Sequence, residues 1–553
     1  MSLFLPFSFL FFSFLGDAVV GLRWLQPKTA RIRGGLIGAE LGMSGLSWTD
    51  GLVLPRLHSP EARAMMDRYR IGRIEGQWKN FVPPIQGGKF RPASVERTGE
   101  NEGEETVVGE QVHAPSHASS RTPSPPPPTV FDAGEGLRDR RGASVSSVSS
   151  VEGAERPLDG MGHLDVWTKK EIKLDLDRYP PLDQDTQDGI VQKYRLLYEK
   201  IKAEGLFNCN YNAYAIECFR YSLLFTAMII FLHWGWYATS GFFLGCFWHQ
   251  LVFSAHDAGH MGITHDFHID TVIGITIADF LGGLSLGWWK RSHNVHHIVT
   301  NSPEHDPDIE HLPFFAVSHR LLGSLYSTYY DKVMHYDAAA KFFISVQNYT
   351  YYIILLFGRF NLYRLSWVYL LCGQAPKKGP AWWHRHLELA GQVFFWVWFG
   401  YFLLYRSIDT NWHRFVFVMI SHMTSAPLHL QITLSHFAMS TADLGVDESF
   451  PQRMLRTTMD VDCPEWLDFF HGGLQFQAIH HLYPRIPRHN LRKTQRLVQE
   501  FCDEAGIPYA LYGFVDGNKV VIGRLGDVAR QAAILAKCQR VVAGNEYGYH
   551  HHS

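Results

Sequence analysis

The stretch His293-Asn294-Val295-His296-His297 decides how this chain folds. On a helix, the spacing i, i+3, i+4 places its three imidazoles on one face about one turn apart, so they can converge on one centre. Two further stretches use the same device. His256 and His260 lie at i and i+4, and Gln477-Ala478-Ile479-His480-His481 repeats the first pattern with glutamine in the first place.

In chain order, the first cluster is His256–His260, the second is His293–His297 and the third is Gln477–His481. Together they supply more imidazoles than one tetrahedral ion needs. Burying that many polar rings without a shared partner would be costly, which disfavours a purely structural role for all of them. We therefore predict a site for two metal ions. Imidazole binds iron, zinc, copper and nickel, so the ligand type alone does not name the metal.

Composition excludes some other classes of protein. The chain has 553 residues, a net charge of -2 and a pI near 7.0, which gives no indication of a basic surface for nucleic acid. The mean hydropathy of -0.11 averages a polar first third with long apolar runs further along. Seven cysteines without a CxxC pair predict neither a disulfide framework nor a thiolate zinc site, and favour a reducing environment.

Apolar stretches beyond residue 216 predict four membrane-spanning helices, with buried helices of a soluble protein as the alternative. An amphipathic helix is predicted before them, over residues 185–204. The glycine-rich run over residues 271–289 fits either a segment on the membrane surface or a wall of the substrate path, and residues 344–358 are equally ambiguous. The predicted spans are residues 217–238, 240–256, 389–406 and 414–434.

After the second and again after the fourth predicted span, the chain is back on the side of the membrane from which it started. The first two histidine clusters follow the second span and the third follows the fourth, so all three lie on that side. Basic segments at Lys290-Arg291, Lys377-Lys378 and residues 485–496 share that side, which the positive-inside rule predicts to be cytosolic. The predicted fold class is an all-α integral membrane protein, in which four transmembrane helices carry a cytosolic helical cap with the di-metal site. A His-rich metal transporter is the alternative of another class, but it would place ligands near the midplane and carboxylates inside the spans.

The motifs around the clusters resemble those of the membrane fatty-acid desaturase family, over about residues 205–515. The glutamine-led third motif resembles the front-end branch, which is often fused to cytochrome b5. The run over residues 286–313 is similar to the fungal delta-8 sphingolipid desaturases of that branch. The stretches that carry the resemblance are HDAGH (256–260), HNVHH (293–297), FHGGLQFQ (470–477), QAIHH (477–481) and HLYPRIPRHNL (481–491).

The resemblance implies a non-haem centre of two iron ions that reduces O2 to water and removes two hydrogens from a CH2–CH2 unit. His436 matches an additional family histidine and is predicted as an eighth ligand, with helix packing as the alternative role. Gln477 stands where other branches have histidine, and its weaker oxygen donor would bind iron directly or through water. The implied catalytic ligands are His256, His260, His293, His296, His297, His480 and His481.

Other residues near the motifs are candidates for supporting roles. His471 is predicted to be structural. Trp288, Trp289 and Trp466 fit either a channel for a linear chain or ordinary interfacial aromatics. The candidates that orient ligand N–H groups are Asp257, Asp306 and Asp308, although Asp306 fits a solvated loop equally well.

The resemblance implies O2-dependent desaturation at delta-8 of the long-chain base of a sphingolipid, such as a ceramide. It implies an enzyme of the endoplasmic reticulum membrane whose active site faces the cytosol, with cytochrome b5 and its NADH-dependent reductase as electron source. The alternatives within the same metal family are a front-end desaturase of fatty-acyl chains and a hydroxylase.

Residues 58–76 resemble the second half of a cytochrome b5 domain, in which His58 would be one of two axial haem ligands. The HPGG motif of the other ligand is absent, since His58 is the first histidine in the chain. We therefore expect no b-type haem in this chain and interpret residues 1–57 as a gene-model artefact or an alternative start. The apolar run over residues 3–15 resembles a signal-peptide core without a basic flank.

The predicted domain order follows from these patterns. Residues 1–57 are an atypical N-terminus and residues 58–88 a partial cytochrome b5-like fragment. Residues 89–160 are rich in Gly, Glu, Ser and Pro and cannot bury enough apolar surface to order, which predicts a disordered linker. Residues 161–520 are the membrane desaturase domain and residues 521–553 a C-terminal tail.

Overall fold

The computed structural model describes residues 85–86, 89–90 and 160–549, with side chains described over residues 162–541. Two compact units are distinguished. The strands β1 (Ile85–Gln86) and β2 (Lys89–Phe90) form an antiparallel pair in one unit. All other described elements belong to the second unit. The predicted N-terminus, His58 and most of the predicted linker lie outside the described residues.

The second unit is mostly helical. Its first part contains α1 (Gly160–Arg178), α2 (Gln184–Ala203), α3 (Tyr211–His233), α4 (Tyr237–Gly259), α5 (Phe267–Ile275), α6 (Leu286–Val299), α7 (Ala338–Ser345), α8 (Gln347–Leu356) and α9 (Gly358–Leu371). Its second part contains α10 (His384–Phe395), α11 (Asn411–Thr424), α12 (Ala426–Phe437), α13 (Phe450–Thr457), α14 (Asp468–His471), α15 (Gln477–Leu482), α16 (Leu491–Ala505) and α17 (Phe514–Tyr549).

Shorter elements complete the unit. A π-helix continues α5 over Thr276–Leu281 and another continues α10 over Trp396–Arg406. Antiparallel β3 (Tyr326–Ser327) and β4 (Lys332–Val333) form one strand pair, and parallel β5 (Asp460–Asp462) and β6 (Leu511–Gly513) form another. Turns of 3-10 helix cover His319–Gly323, Glu465–Leu467, Leu474–Phe476 and Arg488–Asn490.

Three helical segments in the described part of the chain are long and apolar enough to cross a membrane: Tyr211–His233, His384–Arg406 and Asn411–Phe437. They correspond to the first, third and fourth predicted spans. Phe267–Leu281 and Leu286–Val299 pass the same test as a pair and bend by 118° at their junction, so they form a broken span or a re-entrant loop. This pair contains the glycine-rich run over residues 271–289 that the sequence left ambiguous.

Helix α4 coincides with the predicted second span, residues 240–256, but is not among these three segments. Its C-terminal half is largely buried, and glycines bring it close to α11. A Cβ atom at Gly241 would lie 2.9 Å from the carbonyl oxygen of Phe417, and one at Gly245 would lie 2.5 Å from that of Ser421. Such close approach through small residues four apart is typical of packed membrane helices and fixes the helix that carries the first histidine cluster.

The amphipathic helix predicted over residues 185–204 is confirmed as α2. Asp183 begins it by accepting a hydrogen bond of 3.0 Å from the Thr186 amide, which satisfies one of the free N–H groups of the first turn. Its apolar face places Tyr194 against Tyr483 and Phe501, with ring centroids 5.4 and 5.8 Å apart. Helix α2 therefore supports the segment that follows the third histidine cluster.

The predicted boundary between residues 520 and 521 falls inside α17, so the helix continues where the sequence analysis predicted a tail. Val521, Leu525 and Val528 recur at helical spacing and are at most 2% exposed. They pack into the cores beneath α7, α8 and α12, which explains why the helix begins before the predicted boundary and runs past it.

Candidate metal centre

The structure gathers the histidines of the three clusters into two adjacent groups. Within each group, the candidate ligand atoms all lie within 4.8 Å of one another. One group draws on α4, α6 and α15, and the other on α6, α12 and α15. The first group is His256, His260, His293 and His480, and the second is His296, His436 and His481.

The two groups differ in burial. In the first group, His256 is 19% and His293 is 11% exposed, whereas every member of the second group is buried. The second group includes His436, whose alternative role was helix packing. Its ring centroid lies 4.6 Å from that of His296 and 4.9 Å from that of His481.

His297 belongs to neither group but lies between them. Its ring centroid is 4.7 Å from that of His480 and 4.2 Å from that of His481. Its Nε2 atom is 3.1 Å from Nε2 of His293. Two nitrogens side by side on one ion, each at about 2.1 Å, would have a similar separation.

Several of these imidazoles have a buried ring nitrogen without a hydrogen-bond partner. Five of the eight clustered histidines show this: His260 and His480 and His481 at Nε2, and His297 and His436 at Nδ1. Unpaired buried polar atoms are rare in proteins, so a group of five at one place indicates an absent partner. A shared metal ion would supply that partner, and the residues present therefore fit a metal centre.

Burial and the neighbouring imidazoles hold the pKa values of His480 and His481 well below their usual range. Both rings are therefore neutral at physiological pH, which leaves a nitrogen lone pair free. Metal binding requires this form, because a protonated imidazole has no lone pair to donate.

A carboxylate behind the second group orients His296. Asp306 is fully buried and its Oδ2 lies 2.8 Å from Nδ1 of His296. This contact keeps the proton on Nδ1 and directs Nε2 towards the other rings. Thr300 acts similarly on His481, since its hydroxyl lies 3.2 Å from Nδ1 of that ring. Asp306 was one of the predicted orienting residues, and it does not lie in a solvated loop.

The other two carboxylates that were predicted to orient ligands, Asp257 and Asp308, lie farther from the histidine rings than Asp306 does. Nδ1 of His293 is 3.6 Å from Asp308, and Nδ1 of His256 is 4.0 Å from Asp257. Asp257 instead accepts hydrogen bonds from Tyr214 at 2.5 Å and from Arg488 at 2.7 Å. It therefore links α4 to α3 and to the turn that precedes α16.

Asn301 joins the end of the helix that carries the second cluster to the helix that carries His436, but it was not singled out from the sequence. Its backbone has a φ of 58°, in the left-handed region that asparagine tolerates better than most residues. Its Nδ2 donates to the carbonyl oxygen of His436 at 2.8 Å and to that of Thr457 at 3.1 Å. One side chain thus ties α6 to α12 and α13.

The helix that carries the second cluster begins at the bend between Leu281 and Leu286, where backbone groups lack helical partners. Ser285 caps α6 through a hydrogen bond of 3.0 Å from the Trp288 amide. On the other side of the bend, the carbonyl groups of residues 280–282 accept from the side chains of Trp398, Trp248 and Arg359, at 2.8, 2.9 and 2.6 Å.

Two buried carboxylates complete the bend by accepting from the first amides of α6. The Leu286 amide donates to Asp279 at 3.2 Å and the Gly287 amide to Glu388 at 3.0 Å. Unsatisfied backbone groups are costly in an apolar medium, so these side chains fix the direction in which α6 leaves the bend. Neither Glu388 nor Arg359 could be found from local spacing, because their partners in the bend are far away in the sequence.

Gln477 and the predicted tryptophans have different surroundings. The Gln477 side chain is buried and interacts with that of His436, which places it beside the second group. Trp289 stacks on His293 with ring centroids 4.4 Å apart, whereas Trp288 packs beside the core that contains Tyr369. Trp466 is 70% exposed and therefore does not line a path to the histidines.

Comparison with known proteins agrees with this arrangement. Residues 232–513 match the fatty acid desaturase family. The chain is 61% identical over 502 residues to a delta 8-(E)-sphingolipid desaturase of Emericella nidulans, which covers 90% of this chain and 88% of the relative. Proteins with the same name from Kluyveromyces lactis and Candida albicans are 48% and 45% identical, over 88% and 89% of this chain and 85% and 89% of theirs.

The chain belongs to the fatty acid desaturase family. It is a multi-pass membrane enzyme, a lipid desaturase and hence an oxidoreductase, as the sequence analysis predicted.

Proposed function

We propose that this enzyme introduces a double bond at delta-8 into the long-chain base of sphingolipids. The observation that carries the proposal is the 61% identity, over 90% of the chain, to the delta 8-(E)-sphingolipid desaturase of Emericella nidulans. The second cluster and the third, with its leading glutamine, lie inside that matched length. A desaturase of fatty-acyl chains would use the same metal centre, and the position of the new double bond distinguishes the two substrates.

We propose further that the two histidine groups bind two iron ions. His256, His260, His293, His297 and His480 would hold one ion, and His296, His436, His481 and Gln477 the other. The support is the set of unpaired ring nitrogens and the position of His297 against His293. Bound iron would supply the redox chemistry in which O2, two electrons, two protons and a CH2–CH2 unit give a C=C bond and two waters.

The protein's own residues prepare the site for this chemistry. Asp306 holds the proton on Nδ1 of His296, and Thr300 fixes the ring of His481. The complete burial of the second group excludes water from it. The first group is less buried, since His256 and His293 are 19% and 11% exposed, and the ring of Trp289 packs on His293 and lies 5.3 Å from His256. We expect the lipid chain to approach this more exposed group.

The remaining predictions on partners and location belong to the same proposal. Electrons would come from cytochrome b5 and its NADH-dependent reductase, the electron source that the family resemblance implies. The enzyme would lie in the endoplasmic reticulum membrane with its histidine groups towards the cytosol. Residues 161–520, extended by α17, would form the desaturase domain after a partial haem fragment and a linker.

The test is expression of the full chain in a host that lacks sphingolipid delta-8 desaturation. Long-chain bases and fatty acids from the same cells are profiled together for the position of new double bonds. We expect a double bond at carbon 8 of the long-chain base and unchanged fatty acids. A new double bond only in fatty acids would refute the sphingolipid assignment and support a front-end acyl desaturase. A hydroxylated product would indicate the alternative outcome of the same metal chemistry.

The matched control is a His293→Ala variant expressed at the same level. It removes one imidazole of the first group and should yield no product.

Metal analysis of the purified wild-type protein should give about two iron ions per chain, whereas zinc as the main metal would contradict the di-iron proposal.

A further inference from the structure

Three polar side chains form a cluster beside the metal centre without belonging to it. They are His249 on α4, Gln431 on α12 and His471 at the end of α14, and none is more than 4% exposed. We call them the polar cluster. Buried polar groups in a membrane protein are costly and commonly functional, so their presence at this place needs an explanation.

Phe470 connects the two histidines of the cluster, and a hydrogen bond connects His471 to Gln431. The His249 ring stacks on Phe470 with centroids 5.0 Å apart, and the ring of His471 follows at 5.5 Å. Nδ1 of His471 lies 3.2 Å from Oε1 of Gln431 and donates to it, since an amide oxygen can only accept. The polar cluster is therefore one contiguous arrangement across three elements.

Two hydrogen-bond donors of this cluster have no partner. Gln250 donates to the carbonyl oxygen of Phe469 at 2.9 Å and lies 3.4 Å from Nδ1 of His249, so that Nδ1 accepts and Nε2 carries the proton. Nε2 of His249 and Nε2 of Gln431 are both buried and unpaired. The cluster thus offers N–H groups and is suited to a ligand with oxygen acceptors.

The polar cluster is close to the candidate metal centre because each of its elements leads to it. His249 precedes His256 by seven residues on α4, which puts it on the same face two turns away, at about 10 Å along the axis. Gln431 and His436 both lie on α12, and His471 lies six residues before Gln477, the first residue of the third cluster. A lipid bound at both places would extend along one face of α4.

An exposed apolar surface adjoins the same cluster. Phe469 is 46% exposed and Trp466 is 70% exposed, on the segment that ends at His471. Phe514, 38% exposed, has its ring centroid 6.1 Å from that of His471. Exposed aromatic residues of this kind are typical of the membrane interface. The polar cluster therefore lies just behind an exposed aromatic surface, which we expect to face the membrane.

We propose that the polar cluster binds the hydroxyl oxygens at the polar end of the long-chain base and so sets which carbons reach the metal centre. This inference rests on the proposed function, since it requires a sphingolipid substrate. A fatty-acyl chain has no hydroxyl at the matching distance from its reactive carbons. The cluster would thus be a specificity determinant of the enzyme, with Gln431 and His249 as the donors.

The experiment is a competition in membranes from cells that express the full chain. Equal amounts of a ceramide and of an analogue without hydroxyls on its long-chain base are supplied, and the two delta-8 products are quantified together. Because both substrates compete for one enzyme, the product ratio measures the ratio of kcat/KM whatever the amount of folded protein. The variants are Gln431→Leu, Gln431→Met and His249→Phe. Each replaces a hydrogen-bond donor with an apolar side chain of similar size.

His422→Phe serves as the matched control. His422 is also a buried histidine of a membrane helix, but both of its ring nitrogens have partners, Tyr363 at 3.2 Å and the Val418 carbonyl at 2.8 Å. Its replacement removes an imidazole outside the polar cluster and should leave the product ratio unchanged.

We expect the wild-type enzyme to prefer the hydroxylated substrate by roughly 10- to 100-fold, the value of one or two hydrogen bonds from buried donors. The cluster variants should lower that preference towards unity. Wild-type enzyme without a preference would overturn the inference, as would variants that keep the full preference while making less product. No double bond in either base with wild-type enzyme would instead reject the proposed function itself.

Discussion

His296 and Asp306 form a buried pair in which Nδ1 of the ring lies 2.8 Å from the carboxylate, with 2% and 0% of the side chains exposed. The same carboxylate also accepts from the amide of Asn301 at 2.8 Å and from that of Asp308 at 2.8 Å. The loop after the second cluster is thus folded around the residue that orients one of its histidines.

Asp306→Asn should reduce metal content and desaturation together. An amide has one acceptor oxygen in place of two, so it cannot serve His296 and both backbone amides at once. We expect a roughly 10- to 100-fold loss, as is usual when the partner of a metal-binding histidine is removed. Asp308→Asn is the control, because that side chain is 30% exposed and lies 3.6 Å from His293. An equal loss in both variants would contradict a specific role for Asp306.

Asn301 should be important for stability more than for chemistry. Asn301→Gly keeps the left-handed backbone accessible but removes the hydrogen bonds to the carbonyl groups of His436 and Thr457. Asn301→Ala removes the same hydrogen bonds and also disfavours the left-handed backbone conformation, because alanine has a Cβ atom and lacks the local hydrogen bonding of asparagine. We expect destabilisation by about 1–3 kcal/mol for glycine and more for alanine, measured by thermal unfolding in detergent. Equal stability of the two variants would show that backbone strain is unimportant here.

The histidine spacing was enough to predict the candidate site, but not the bend that holds it. The shared face of His293, His296 and His297 can be recognised from the sequence because an α-helix has 3.6 residues per turn, which is a local property of the chain. Asn301 and Glu388 do not, because their partners lie on elements far along the sequence and meet only when the helices pack. The second predicted span likewise resembles the other spans in composition. The position of α4, however, depends on its close packing against α11, which the sequence alone does not reveal.

Stability should fall as the pH rises from about 4.5 to about 8, in part because of Glu310. Burial raises the pKa of this carboxyl from 4.5 to about 8. Over that interval the unfolded chain loses the proton while the folded chain keeps it, so ionisation favours unfolding. Glu310→Gln mimics the protonated form and should flatten this dependence, as followed by the melting temperature in detergent. A variant with the wild-type pH profile would exclude Glu310 as its source.

Glu388 should position the second cluster from the far side of the bend. Its carboxylate accepts from the Ser285 hydroxyl at 2.5 Å and from the Gly287 amide at 3.0 Å. Glu388→Leu leaves both donors unpaired and should cost about 1–3 kcal/mol for each. Glu388→Gln keeps one acceptor oxygen and should be milder. The readouts are thermal stability and iron content, and a Glu388→Leu protein with full iron content would show that the bend tolerates the loss.

His436 should decide whether the fully buried group binds its own ion. His436→Ala removes one of three imidazoles from that group and leaves the first group intact. If both groups bind iron, content should fall from about two ions to about one per chain, because the remaining ligands hold the metal more weakly. His422→Ala is the control, as it removes a buried histidine that contacts Phe360 and Trp248 rather than the clusters. Two ions in the His436→Ala protein would mean that this histidine only packs between helices, and Gln477 would then be the better candidate for the missing donor.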